Sequence, residues 1–303
     1  MPSTTFKLGS RTLNFSNMDK VLYPSVGFTK GDVIHYYLSI AKVLLPHLKD
    51  RPITLKRYPN GVDGMFFYEK RCPSHRPDWV KTKMVPSRGK NGRIDYCLVN
   101  DVQTLAWIEN LASIELHTLL SKAKNVQQPT MVVFDLDPGP PAGVWDACRV
   151  AIEMRDLFTR LGLQTFVKHS GGKGLHLVVP LNTKVTFDQT KDFAKAIALL
   201  FEKNDPKRVV HLMRKDLRGG KVFIDWSQND EHKTTVNVYS LRARERPWVS
   251  APLTWKEVET ALRTKKVEAI HFEADEAVAR VKKMGDLFEP VLTMKQKLPA
   301  ALG

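Results

Sequence analysis

Met131-Val132-Val133-Phe134-Asp135-Leu136-Asp137-Pro138-Gly139 is an apolar run into two acids spaced i, i+2, stopped by Pro-Gly. The pattern predicts a buried strand that ends at a turn. Alternate residues of a strand share a face, so Asp135 and Asp137 point one way, roughly 6.5–7 Å apart along the strand. Phe134 and Leu136 point the other way. Two carboxylates at that spacing repel each other unless positive charge joins them. Hard divalent cations such as magnesium or manganese prefer oxygen ligands and suit the pair. A lone Asp-x-Asp reads more readily as two solvated acids at a strand exit, so its surroundings decide.

Downstream, Pro138-Gly139-Pro140-Pro141 leads into a predicted helix to about Leu161, with Val144, Cys148, Ala151, Met154 and Phe158 on one face and Gly162 as its stop. Gln164 to Lys168 reads as a short strand. Ser170-Gly171-Gly172-Lys173-Gly174-Leu175-His176 then links it to the apolar strand Leu177-Val178-Val179-Pro180. Glycines let backbone N–H groups approach an anion closely, and Ser170, Lys173 and His176 add donors. Neither G-x-x-x-x-G-K-[ST] nor G-x-G-x-x-G is present; the alternative is a flexible hairpin turn, and three donor side chains in seven residues favour phosphate binding over it. Thr186 opens a helix carrying Phe193, Ile197, Leu200 and Phe201. A basic loop, residues 214–221, precedes Val222-Phe223-Ile224-Asp225-Trp226, a further apolar strand with an acid inside it. Asp225 is positioned to complete a three-carboxylate site. From Thr254 on, the tail reads as two helices.

Upstream, residues 6–15 read as a strand pair turned at Gly9-Ser10. Thr29 with Asp32 predicts an N-cap and an acid at N3 of a helix running to about Leu48. Lys20 and Lys30 bracket that helix start, where phosphates are attracted. Residues 51–70 read as two strands around Pro59-Asn60-Gly61. Basic residues there lie next to the aromatics Phe66, Phe67 and Tyr68, which suits backbone contact with base stacking, although at least one of Phe66 and Phe67 is expected in the core. Residues 71–81 read as loop, Ile94 to Leu98 as a strand, and Asp101 as the cap of a helix carrying Leu105 and Ile108. The strand Ile114 to His117 presents His117. Residues 121–129 read as a polar loop.

The 303 residues carry 47 Lys+Arg against 32 Asp+Glu, a formal net charge of +15. That excess points to a polyanion, nucleic acid first, though charge alone leaves open a basic protein without such a partner. Hydrophobic content of 43% supports a full core. Cys72, Cys97 and Cys148 are an odd set without pairing spacing, which predicts free thiols in a reducing cytosol. Cys72 and His75 lack a second ligand pair, so no zinc is expected. The N-terminal stretch lacks the apolar core of a signal peptide, and no run is long enough to span a membrane.

Taken together, the ordered set Asp135-Leu136-Asp137, Ser170 to His176 and Phe223-Ile224-Asp225-Trp226 resembles the archaeo-eukaryotic primase superfamily. Within it the set is most similar to the polymerase domain of bacterial DNA ligase D, the non-homologous end-joining polymerase. Asp19 to Pro24, Arg51-Pro52, Lys56 to Gly61 and Tyr239-Ser240-Leu241-Arg242-Ala243-Arg244 resemble it too. The likeness covers about residues 15–285. It departs from the pattern at His169, where a Thr is expected.

The resemblance implies an α+β primase-polymerase fold, two mixed or antiparallel sheets flanked by helices around a central acidic cleft. It implies one catalytic domain over 1–303, with DNA-end and template contacts in about 1–125. The metal and nucleotide site would lie in about 126–250 and C-terminal helices in about 251–303. The activity implied is template-directed addition of ribo- or deoxyribonucleotides to a primer 3′-hydroxyl at gaps and double-strand breaks, in DNA repair by end joining. Asp135, Asp137 and Asp225 would be catalytic and hold two manganese or magnesium ions. Ser170, Lys173 and His176 would hold the triphosphate, joined by His117, Lys56, Lys215, Arg242 and Arg244. Asn17, Lys20 and Lys30 resemble a pocket for a DNA 5′-phosphate, and Phe67 and Tyr68, beside Lys56 and Arg57, would stack near template and nucleotide. Nucleoside triphosphates, gapped or broken DNA, Ku and a DNA ligase are the implied partners, with no membrane and a bacterial, nucleoid-associated cytoplasmic location. Gly61-Val62-Asp63-Gly64 lacks the Lys of the ligase nucleophile motif, so the chain is expected to be a stand-alone polymerase or an excised domain. A replicative or gap-filling primase-polymerase, a metal-dependent phosphodiesterase, which needs no triphosphate turn, and a non-catalytic end-binding module are the rival readings.

Overall fold

Alternation of apolar and polar residues builds two six-stranded sheets, one in each of two compact units. The computed structural model describes residues 3–88 and 92–299. The outermost residues at either end, on which the N-terminal and tail readings partly rest, lie outside that range. One unit comprises residues 1–119, 234–250 and 272–286; the other comprises 120–233, 251–271 and 287–303. Helices and both sheets together give the α+β class expected from the sequence.

In the second unit the strand order is Val209–Val210, Val222–Asp225, Met131–Pro138, Leu175–Pro180, Phe166–His169, Pro252–Leu253. All pairs are antiparallel except Val209–Val210 with Val222–Asp225. Helices Val144–Arg160 and Phe187–Asn204 cover one face. Phe134 from the aspartate strand meets Phe158 at 5.4 Å and Phe193 at 6.5 Å between ring centroids. Period-2 alternation then leaves Asp135 and Asp137 on the opposite face. Thr186 caps the second helix through a reciprocal capping box with Gln189, as its spacing predicts.

In the first unit, Pro52–Arg57 pairs along one side with Ser113–Leu119. Its other side is shared: Pro52 and Ile53 pair with Arg93–Leu98, while Leu55 to Arg57 pair with the short strand Phe67–Glu69. Thr82–Pro86 and Thr234–Val236 close the two edges. The strand pair Ser3–Leu8 and Arg11–Ser16, the Thr29–Asp32 capping box and the Asp101 cap form as predicted.

Four expectations are corrected. Cys72 and Cys97 form a disulfide with Cα atoms 4.9 Å apart, so they are not free thiols. The cause is a contact the sequence does not display: the Cys72 N–H donates to Asp95 O at 2.7 Å, laying the loop along the Arg93–Leu98 strand. The cysteine count therefore no longer argues for a reducing compartment. The helix expected to run to Leu48 is broken at Ile40, giving Lys30–Ser39 and Ala41–Leu48. Residues 121–129 make a small hairpin, Ser121–Lys122 with Asn125–Pro129, rather than a loop; no apolar face advertises it. The tail holds three helices, Trp255–Thr264, Ala274–Met284 and Glu289–Thr293, because Gly285 at φ 68° ends the second and Pro290 starts the third. No helix among the described residues is long and apolar enough to cross a membrane.

Glu109, on the helix Val102–Asn110, is fully buried, and neither carboxylate oxygen has a hydrogen-bond partner among the described residues. Burial raises its pKa well above the usual carboxylate range. An acid raised in the folded state ionises first in the unfolded chain, so stability falls as pH rises above about 4.3, by about 1.4 kcal/mol per pH unit. Glu109→Gln removes that titration. Urea unfolding at a series of pH values should show the variant gaining on the wild type steadily above about pH 4.3; parallel curves would show that Glu109 ionises freely in the folded protein.

Candidate active site

The second unit places the three predicted aspartates on two neighbouring strands, two of them directly paired. Asp135 stands directly opposite His176 on one side and opposite Asp225 on the other. Asp137, two residues on, stands opposite Phe223. Like charges directly opposite each other on antiparallel strands are destabilising, and each acid here has a compensating neighbour. His176 Nε2 lies 3.3 Å from Asp135 Oδ1, and an Arg218 guanidinium nitrogen lies 3.6 Å from Asp137 Oδ2. Asp225 accepts from the Ser227 N–H at 2.9 Å, the Ser227 hydroxyl at 2.5 Å and Gln228 Nε2 at 2.8 Å. Lys233 Nζ donates to that same hydroxyl. Asp137 is exposed, Asp135 half-buried and Asp225 buried.

Three carboxylates on one sheet face match the oxygen-donor preference of magnesium and manganese. Among the described residues, no group of three His, Cys, Asp or Glu is gathered closely enough to hold a metal ion as it stands. Asp225 is turned onto Ser227 and Gln228, which donate to its carboxylate.

The Gly-rich turn joins Phe166–His169 to Leu175–Pro180, so it sits at the end of the strand that carries His176. Gly171 adopts φ 75°, a conformation that favours glycine. A Cβ on Gly174 would lie 2.2 Å from Leu136 O, the carbonyl between the two aspartates, so the turn presses on the aspartate strand and admits no side chain there. Ser170 and Lys173 belong to this turn, with Lys173 exposed. Lys215, on the turn Lys215–Leu217, is exposed on a separate loop of the same unit.

The first unit gathers Lys56, His117 and Arg242 around a residue the sequence reading missed. Glu115 is 1% exposed, yet its carboxylate meets His117 Nε2 at 2.9 Å, Arg242 Nε at 3.4 Å and Lys56 Nζ at 3.6 Å. It also accepts the Ala243 N–H at 3.0 Å. Burial alone would push this carboxyl up, but the His117 hydrogen bond and the charges of Arg242, His117 and Lys56 outweigh burial and hold it well below the usual range. Burial lowers the His117 pKa, with Glu115 opposing. Glu115 alternates inside an apolar strand just as Asp225 does; that pattern was the available signal. Arg244 is exposed, two residues beyond Arg242.

Around this centre stand aromatic rings. Lys56 Nζ lies 4.3 Å from the Phe66 centroid and 5.5 Å from that of Tyr68, and the Arg57 guanidinium lies 5.1 Å from that of Phe67. Tyr68 meets His117 edge-on at 5.9 Å. Phe66, Phe67 and Tyr68 are 50%, 44% and 54% exposed, so neither phenylalanine belongs to the core as expected. The short Phe67–Glu69 strand pairs on one side only.

At the start of helix Lys30–Ser39, Lys30 is buried, with its amine donating to Ser16 O at 2.6 Å and Asn110 Oδ1 at 2.7 Å. Burial, then Arg57 and Lys20, push it down to about 8. Lys20 is exposed and donates to Asn60 Oδ1 at 3.0 Å. Asn17 sits at φ 54° and its carbonyl accepts from the Lys20 N–H. The N–H groups of Lys30, Gly31 and Asp32 already donate to Lys20 O, Met18 O and Thr29 Oγ1. The helix-start N–H groups that the sequence reading offers to a phosphate are thus already paired within the protein.

A family model described as the LigD primase-polymerase domain matches residues 29–288. The chain is 42% identical over 281 residues to the multifunctional non-homologous end joining protein LigD of Mycolicibacterium smegmatis, covering 92% of this chain and 36% of that protein. It is 31% identical over 274 residues to the bifunctional non-homologous end joining protein LigD of Bacillus subtilis, covering 90% and 43%. Among solved structures, the polymerase domain from Mycobacterium tuberculosis ligase D in complex with DNA superposes with a TM-score of 0.85 at 38% identity, over 94% of this chain and 99% of that one. The chain thus spans well under half the length of the LigD proteins it matches.

Glu115→Gln leaves three basic groups around a neutral amide. Breaking such a buried pair typically costs about 3–5 kcal/mol. Because the folded carboxyl is depressed, its stabilisation is present above the unfolded value of about 4.3 and is lost as pH falls through the folded value. The stability gap between wild type and variant should be constant from pH 6 to 7 and shrink below about pH 4.3; denaturation midpoints across that range measure it.

Proposed function

We infer that this chain, which belongs to the LigD primase-polymerase domain family, is a template-directed nucleotidyltransferase that extends a primer 3′-hydroxyl at gaps and broken DNA ends. What supports the reading most is Asp135, Asp225 and Asp137 on neighbouring strands, with His176 opposite Asp135 and a Gly-rich turn carrying Ser170 and Lys173 at the end of the His176 strand. Acids alone would suit a phosphodiesterase; the adjoining phosphate turn favours a triphosphate substrate. The M. tuberculosis polymerase domain matched above was solved with DNA, and a net charge of +15 suits the same partner here.

Asp135, Asp137 and Asp225 would hold two manganese or magnesium ions. When bound, such ions lower the pKa of an attacking hydroxyl and neutralise the triphosphate and the leaving pyrophosphate. The chain's own residues then position the substrate and carry its charge. Ser170, Lys173, His176 and Lys215 offer donors to the triphosphate. His117, Lys56, Arg242 and Arg244 offer charge to the nucleotide, with the first three fixed by Glu115. The exposed rings of Phe67 and Tyr68 offer stacking faces, each such contact being worth about 1–3 kcal/mol per base. Lys20, Lys30 and Asn17 would receive a downstream 5′-phosphate; burial is the main cause that lowers Lys30, and a dianion would offset the smaller repulsion from Arg57 and Lys20. Ku and a DNA ligase are the proposed partners, end joining the proposed pathway, with ribonucleotides accepted alongside deoxyribonucleotides.

The test is extension of gapped DNA bearing a downstream 5′-phosphate or 5′-hydroxyl, with ribo- and deoxyribonucleotides, by wild type and Asp137→Ala. Wild type should extend both and prefer the phosphate. Asp137→Ala should lose addition by a factor of at least about 10³ while binding the DNA as before, since the acids act as one unit. Full extension by the variant would remove Asp137 from the site.

A further inference from the structure

His169 ends the Phe166–His169 strand, buried, immediately before the Gly-rich turn. Its backbone N–H donates to Ala251 O at 2.8 Å, which fixes the main chain. Its ring does something else: Nδ1 accepts the N–H of Gly171 at 2.9 Å. A backbone N–H is a donor only. Nδ1 must therefore carry the lone pair, and the ring is the neutral tautomer with its proton on Nε2. The ring is held in turn by His271, whose centroid lies 3.8 Å away at 60°. Within the turn, the Ser170 N–H donates to Gly174 O at 3.0 Å and the Gly174 N–H donates to the Ser170 hydroxyl at 3.3 Å.

These contacts matter because of composition. Gly171, Gly172 and Gly174 fall within five residues, and glycine loses more backbone freedom on ordering than any other residue. A turn so built is floppy unless something outside it fixes its shape. Gly174 is pinned by its close approach to Leu136 O; at the other end, Gly171 is pinned by the His169 ring. We propose that His169 is a positioning residue for the triphosphate: its Nδ1 holds Gly171 so that the turn is ordered before the phosphates arrive. The proposal rests on the reading of residues 170–176 as the triphosphate site. Ordering a binding loop in advance improves affinity by removing that cost from the binding step.

Two substitutions separate the ring nitrogens. Asn places a side-chain acceptor at the position of Nδ1; Gln places it at the position of Nε2. Manganese tripolyphosphate, as probe, is titrated calorimetrically into wild type, His169→Asn and His169→Gln, with thermal midpoint and duplex DNA affinity measured alongside. His169→Asn should bind the probe within about twofold of wild type and His169→Gln about tenfold more weakly, the scale of one lost hydrogen bond. DNA affinity should be the same for all three. Equal probe affinity for the two variants, whether both match wild type or both are equally weakened, overturns the positioning role. So does a loss in His169→Gln that tracks a fall in thermal midpoint and in DNA affinity. A wild type that does not bind the probe at all overturns the triphosphate reading itself.

Discussion

Negative charge placed side by side on a sheet is the constraint on which the second unit depends. Asp135 and Asp225 are direct cross-strand partners, an arrangement that sheets avoid because the side chains lie only about 4.5–5.5 Å apart. The fold sustains it by burying the other face of the same strands. Phe134 locks against Phe158 and Phe193, so a one-residue slip that would separate the acids would also expose that core. The packing that makes the strand stable is thus what fixes the acids. His176, Arg218, Ser227 and Gln228 then neutralise or bond them one by one. Register thus sets Asp135 opposite Asp225, while Asp225 stays turned onto Ser227 and Gln228.

The first unit uses the same electrostatics with the sign reversed. Lys56, His117 and Arg242 converge on the single carboxylate of Glu115. Without it, three basic side chains would repel one another and swing outward. With it, they are held in place beside exposed aromatic rings, an arrangement suited to an anion carrying a flat base.

What the sequence made legible is what local periodicity encodes. The i, i+2 spacing placed Asp135 and Asp137 on one face, an acid inside an apolar strand identified Asp225, and the Thr29–Asp32 and Thr186–Gln189 spacings predicted real caps. What stayed hidden depends on register between distant strands. The Cys72–Cys97 bond needs the loop laid along Arg93–Leu98, and the Glu115 cluster needs three segments brought together. The exposure of Phe66 and Phe67 depends on what packs over them in the fold, which no local pattern shows. His169 was visible only as a departure from the family pattern; its ring contact with Gly171 arises from a turn whose shape no residue string specifies.

The most direct test of the account is manganese binding by the three aspartates, followed by electron paramagnetic resonance in the presence of a triphosphate, in wild type, Asp135→Asn and Asp225→Asn. Both substitutions keep the shape of the side chain and remove one oxygen charge. The account predicts saturable binding of two ions by wild type and loss of at least one in each variant. Unchanged stoichiometry and affinity in both variants would contradict the assignment of these aspartates as the metal centre.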